Sequence, residues 1–136
     1  MKYMLDTNIC IFAIKHKPEA VIKAVTSHSA SDICISSITY AELMHGVEKS
    51  QARMKNLLAL KFFLSSITIL PFGMRASEEY GKIVADLQSK GTPIGPMDTL
   101  ISAHARSENL ILVTNNTREF QRVIDLELED WTRCDQ

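Results

Sequence analysis

Asp6, Glu42, Asp98 and the polar run Thr114-Asn115-Asn116 lie far apart in a chain of 136 residues. Each falls near the end of a strand pattern or early in the helix pattern after it. In open parallel sheets, ligand sites gather beyond the carboxyl ends of the strands, so these segments could converge on one acidic pocket. Simpler roles stand beside that one. Asp6, before Thr7-Asn8, could cap the next helix, and Asp98 in a first turn is favoured by the helix dipole. Tyr40, Leu43, Met44 and Val47 form a helical apolar stripe from which Glu42 points away, which predicts solvent for its carboxylate. Glu119 could be a solvated acid and Asn115-Asn116 a turn.

Other chemistries find no support. The histidines at 16, 28, 45 and 104 share no metal-ligand spacing, and His104 sits on an apolar stripe where packing is the expectation. There is no GxxxxGK[ST] loop, no GxGxxG after a strand and no GxSxG elbow.

The elements that must hold the acids read as alternating strands and helices. Lys2 to Leu5 is a short apolar run, and Pro18 suits the first turn of a helix running to about Ser29. Ile33 to Ile35 reads as a strand, and Ser36-Ser37 caps a helix through Val47. Helices are predicted over Ala52 to Ser65 and Met74 to Lys90, with a strand over Ile67 to Leu70 closed by Pro71. After the rigid Gly91–Pro96 loop, Met97 to Arg106 carries a stripe at Met97, Leu100, Ile101 and His104. Leu110 to Val113 reads as a strand buried on both faces, followed by a short helix around Glu119 to Val123 and a last strand within Leu126 to Trp131. The alternation predicts an α/β fold, with a parallel sheet covered by helices on both sides.

Length and composition bound the rest. At 15.3 kDa, with 46% hydrophobic and 23% charged residues, the chain fits one domain and falls outside the disordered range. No apolar stretch is long enough for a membrane span, and Asp6 interrupts the start before a signal-peptide core could form, which predicts a cytoplasmic protein. Cys10, Cys34 and Cys134 lack CxxC spacing and read as reduced and structural. Residues 1–124 carry 14 Lys/Arg against 11 Asp/Glu, whereas residues 125–136 carry one against five. The bulk of the domain is therefore mildly basic, and an anionic ligand is compatible with it.

The fragments MLDTN, SSITYAEL, GTPIGPMDTLISAHA and LILVTNNTREF, in that order and spanning nearly the whole chain, resemble the PIN-domain ribonucleases, and among them the VapC toxins of toxin–antitoxin pairs. The resemblance implies a three-layer α/β/α sandwich with about five parallel strands and an acidic cleft binding Mg²⁺ or Mn²⁺. It matches Asp6, Glu42 and Asp98 to family acids, with Asp6 and Asp98 as metal ligands, and it reverses the solvent-facing reading of Glu42. Asn116 stands where many relatives carry Asp, so a neutral oxygen replaces a charged ligand there, and the fourth ligand is either Asn116 itself or Glu119, a fourth catalytic acid one turn later, acting directly or through water. Thr114 is a supporting polar position. Hard cations prefer such oxygen ligands, and four like charges in one cleft call for one.

With those four acids set aside, residues 1–124 carry 14 basic groups against seven acidic ones, a rim able to hold RNA phosphates. Lys15, Lys17, Lys49, Arg53, Lys55, Arg118 and Arg122 are the candidates. The resemblance further implies cleavage to 5′-phosphate and 3′-hydroxyl ends, a tRNA anticodon stem-loop as substrate with initiator tRNA favoured, and a VapB-like antitoxin. A homodimer is expected from the family and from apolar helix faces at Tyr40, Leu43, Met44 and Val47 and within Leu57 to Leu64. A catalytically inactive PIN-fold binding module is the alternative, supported by Asn116. A receiver-like phosphoacceptor domain fits poorly, since it expects adjacent acids after the first strand and an Asp ending the third, where this chain has a lone Asp6 and Pro71.

Overall fold

The computed structural model describes residues 1–133. Its strands are β1 (Tyr3–Leu5), β2 (Ile33–Ser36), β3 (Thr68–Leu70), β4 (Ile111–Val113) and β5 (Leu128–Glu129). The helices are α1 (Thr7–Lys15), α2 (Glu19–Ser27), α3 (Ser37–Lys49), α4 (Arg53–Leu64), α5 (Met74–Ser89), α6 (Pro96–Ser107) and α7 (Thr117–Phe120). The strands form one parallel sheet in the order β3-β2-β1-β4-β5. The chain builds outward from β1 through β2 to β3, then returns to the other side of β1 for β4 and β5. The reversal leaves a crevice between the carboxyl ends of β1 and β4, where open parallel sheets bind ligands.

Two-residue alternation sorts the strand side chains. Tyr3, Leu5, Ile33, Ile35 and Val113 share one core with Ile9 and Ala13 of α1, Val21 of α2, Leu43 of α3 and Leu60 of α4. Met4, Cys34 and Leu112 point the other way, onto Ile101 and Ala105 of α6 and Phe120 of α7. Both faces of the central strands are covered, which is why their sequences are unbroken apolar runs. The expected α/β/α layering is present, with an addition: Ile83 and Leu87 of α5 pack with Ala103 of α6 and Val123, so α5 lies against α6.

That placement explains a misread stripe. Clamped between the sheet and α5, α6 buries Thr99 and every residue from Ile101 to Ala105, while Met97 stays 45% exposed. A helix covered on two sides has no single apolar stripe. His104 is buried as packing predicts, its Nδ1 lying 2.7 Å from Ser36 Oγ and its ring edge-on to Phe72.

Other differences are local. Pro18 is the N-cap of α2 rather than part of its first turn, the helix expected from Glu119 starts at Thr117 and closes at Phe120, and the last strand shrinks to two residues. Cys10 and Cys34 are buried free thiols, that of Cys34 pushed up to about 12 by desolvation, so neither is poised to react. Cys134 lies outside the described residues. Leu43, Val47 and Leu60 are consumed by the chain's own core, so they are not the free faces expected for dimerisation; the apolar side chains left exposed on α4 are Met54, Leu58 and Phe62.

Leu112, at 0% exposure in the central layer, has no room to be replaced by solvent. Leu112→Ala should cost about 2–5 kcal/mol in urea unfolding, through a lower midpoint at unchanged slope. Met74→Ala, at an 81% exposed position, should stay within about 0.5 kcal/mol of the parent.

Candidate acidic site at the β1–β4 crevice

Asp6 is the residue after β1, and its backbone N–H donates to the Val113 carbonyl at 3.0 Å, which seats it in the crevice. Its Oδ1 accepts the Ile9 N–H at 2.9 Å and caps α1. Thr114, fully buried after β4, lies beside the same carboxyl group and favours its ionised form. Capping and site membership therefore coexist. The cap engages one oxygen and holds the group rigid without exhausting it.

Glu42 is half-buried in α3, and its Oε1 accepts from the Thr7 hydroxyl of α1 at 2.5 Å. The solvent-facing reading fails because a helical wheel sees only its own helix, and α1 supplies a neighbour that α3's periodicity cannot show. Asp98 is half-buried in the first turn of α6. Glu119 of α7 reaches across to the start of α6: Oε1 accepts from the Gly95 N–H at 3.2 Å, and Oε2 accepts from Asn116 Nδ2 at 3.0 Å. The Asp98 and Glu119 carboxyls lie within electrostatic reach of each other, the charge of Glu119 disfavouring ionisation of Asp98. Asn116 donates its backbone N–H to Thr114 Oγ1 at 3.0 Å, so Thr114, Asn116 and Glu119 form one braced run from β4 into α7.

Electrostatics shows that these groups lie within reach of one another. Desolvation raises the Asp6 carboxyl to about 6 against the pull of the neighbouring Thr114 and the Ile9 N–H, with the charges of Glu42 and Asp130 adding to the rise. Asp98 also rises to about 6, first through desolvation, then through the charges of Glu119, Asp6 and Glu42. Glu119 moves below the usual carboxylate range because Asn116 and the Gly95 N–H stabilise its anion. Asp130, just after β5, escaped the sequence reading because it lay among the acids of the terminal segment; the signal was again an acid following a strand.

Among the described residues, none of Asp6, Glu42, Asp98 and Glu119 joins a salt bridge. No three His, Cys, Asp or Glu side chains there close tightly enough to cage an ion on their own. The donor set nonetheless suits a hard divalent cation: the available donor atoms are oxygens, the charge is in excess, and Mg²⁺ keeps several waters rather than requiring an all-protein cage. Of the expected basic rim, Lys15 lines a cleft ending at Glu42, whereas Arg53 pairs with Glu48 at 2.7 Å and Arg122 donates to the Pro93 carbonyl.

The raised carboxyls set the sign of a pH effect. Asp6 holds a proton up to about pH 6 when folded and releases it near 3.8 when unfolded, so its stabilising contribution is full below 3.8 and vanishes as pH rises through 6. Asn also caps helices well. In EDTA, Asp6→Asn should therefore be more stable than the parent at pH 7.5, by on the order of 2 kcal/mol, with the gain fading towards pH 4. Chemical unfolding across that range measures it, and a loss of stability at pH 7.5 would contradict the desolvated-acid picture.

The PIN domain family model matches residues 3–126. The chain is 48% identical over 132 residues to a Shigella flexneri protein named tRNA(fMet)-specific endonuclease VapC, covering 97% of this chain and 99% of that one. A Salmonella typhimurium protein of the same name is 47% identical over 131 residues, covering 96% and 98%. Among solved structures, Salmonella typhimurium VapBC bound to DNA superposes with a TM-score of 0.91 at 46% identity, covering 96% of this chain and 98% of that one. Rickettsia felis VapBC2, bound to a DNA fragment from its promoter, gives 0.90 at 43%, covering 96% and 99%. With the family model spanning most of the chain and near-full-length VapC relatives sharing almost half its residues, this protein belongs to the VapC group of the PIN-domain family.

Proposed function

We propose that this chain is an Mg²⁺- or Mn²⁺-dependent endoribonuclease toxin that cuts a tRNA anticodon stem-loop, initiator tRNA by preference, to 5′-phosphate and 3′-hydroxyl ends. The observation that carries the reading is the electrostatic contact among acids drawn from separate segments to the β1–β4 crevice. Relatives named tRNA(fMet)-specific endonucleases supply the substrate class, and the VapBC complexes among structural relatives supply the partner, a VapB-like antitoxin. The toxin acts in the cytoplasm as a homodimer until that antitoxin neutralises it.

Asp6, Asp98 and the Asn116 side-chain oxygen would hold the cation, with Glu119 beside them. Bound there, a divalent ion lowers the pKa of a water and offsets the charge that builds on the phosphate oxygens during in-line displacement. The chain's own groups do the positioning. The α1 cap fixes Asp6 with the buried Thr114 beside it, and Gly95 and Asn116 hold Glu119 within electrostatic reach of Asp98. Thr7 engages Oε1 of Glu42, which leaves Oε2 as the atom placed to accept a proton from the attacking water. Asn116 donates through Nδ2 to Glu119, so its Oδ1 remains the ligating atom.

Asp6→Asn, Glu42→Gln and Asp98→Asn should each lower cleavage of an initiator tRNA transcript by about 100-fold or more while leaving the fold intact, and EDTA should abolish it. Any of the three variants cutting at the parental rate would remove that residue from the site. Sequencing RNA ends after induction should show one dominant anticodon-loop cut. Scattered cuts in messenger RNA with tRNA intact would overturn the substrate while sparing the nuclease.

Asn116 is the one observation favouring an inactive binding module, because a charged ligand of many relatives is neutral here. Asn116→Asp should tighten Mn²⁺ binding in calorimetry, and unchanged affinity would mean that Glu119 already supplies the charge. Purified parent protein that binds the tRNA but never cuts it, with either metal, would establish the binding module instead.

A further inference from the structure

Beside the acidic crevice, the surface opens into a cleft of about 280 Å³ between α1, α3 and α4, with Glu42 at its edge. Ile11 and Ile14 of α1, Leu43 of α3 and Leu60 of α4 give it aliphatic walls, and Lys15 and Asn56 add polar groups to them. Gly46 of α3 also lines it, and a Cβ built there would meet nothing within 4 Å. Its backbone is helical, so no left-handed turn requires glycine. Glycine inside a helix costs stability relative to alanine, and here neither the backbone nor a close neighbour accounts for it. The empty position instead widens a slot next to the acids.

We propose that this slot receives one unpaired nucleobase of the RNA, that of a nucleotide flanking the scissile phosphate; the proposal rests on the ribonuclease reading above. A base needs apolar walls for its faces and a few polar groups for its edge, and RNA loops offer bases already splayed from their stacks. The Asn56 amide supplies both a donor and an acceptor for a base edge. Lys15 supplies a cation for the adjacent phosphate, which an apolar peptide side chain would not need. The lining contains no aromatic ring, so recognition works through shape and edge hydrogen bonds rather than stacking.

Gly46→Leu puts bulk into the slot from a position whose Cβ meets nothing within 4 Å. Urea unfolding checks its fold, and Asn56→Ala, at an exposed position, probes the same slot without adding bulk. The substrates are an anticodon stem-loop RNA and versions carrying a single abasic residue at each position around the cut. Gly46→Leu should lower kcat/KM on the intact stem-loop roughly 10-fold or more, chiefly through KM, with the cut site unchanged. Asn56→Ala should lower it several-fold, to about the cost of one lost edge contact. One abasic position should cost the parent as much, and Gly46→Leu should add nothing further there. Parental kinetics in both variants, or penalties that add at every abasic position, would overturn the proposal. So would unchanged RNA cleavage together with weakened inhibition by a co-expressed antitoxin, which would make the occupant a protein side chain. If the parent cuts no RNA, the ribonuclease reading fails separately, and fluorescence anisotropy of the same stem-loops in EDTA still decides the slot: equal affinity of the parent and Gly46→Leu for the intact stem-loop would overturn it.

Discussion

The structure depends on holding like charges together where water is scarce. Asp6 is 5% exposed, and Asp98 lies in the electrostatic reach of Glu42, Glu119 and Asp6 itself. Desolvation and mutual repulsion both favour the protonated form, and burial is the larger cause for Asp6 and Asp98 alike. A fold that keeps such a cluster accepts a penalty in stability that a bound cation would relieve.

The surrounding architecture limits that penalty without removing it. Reversal of strand order at β1 places Asp6 and Thr114 side by side, and the Asp6 N–H to Val113 carbonyl bond fixes their register. The cap of α1, the Thr7 hydroxyl on Glu42 and the Gly95 N–H on Glu119 each satisfy one carboxyl oxygen with a neutral donor. Neutral donors orient an anion while leaving its charge uncompensated. A lysine or arginine in the same place would complete a salt bridge and leave a cation nothing to bind. The preferences of the site therefore follow from which partners it lacks among the described residues as much as from those it has.

Much of this was legible in the sequence, because strand ends and helix starts are local features. Asp6 after an apolar run, Asp98 after a Gly-Pro turn and Thr114 after Leu110 to Val113 occupy the strand-end and helix-start positions that the pattern gives them, whereas Glu42 enters only through the family resemblance. What escaped was non-local. The contact of Glu42 comes from Thr7, on a different helix. The packing of α5 against α6 could not be read because an amphipathic helix has the same pattern over a sheet as over another helix. Asp130 hid at the end of a two-residue strand whose pairing is set by β4 rather than by its own periodicity.

The most direct test of the account is a ¹³C-carboxyl NMR titration of the aspartates, with and without saturating Mg²⁺. Asp6 and Asp98 should titrate near 6 in the metal-free protein, and Mg²⁺ should drive both to or below the ordinary carboxylate range. Titration of Asp6 and Asp98 near 3.8 without metal, or curves that Mg²⁺ does not shift, would contradict it.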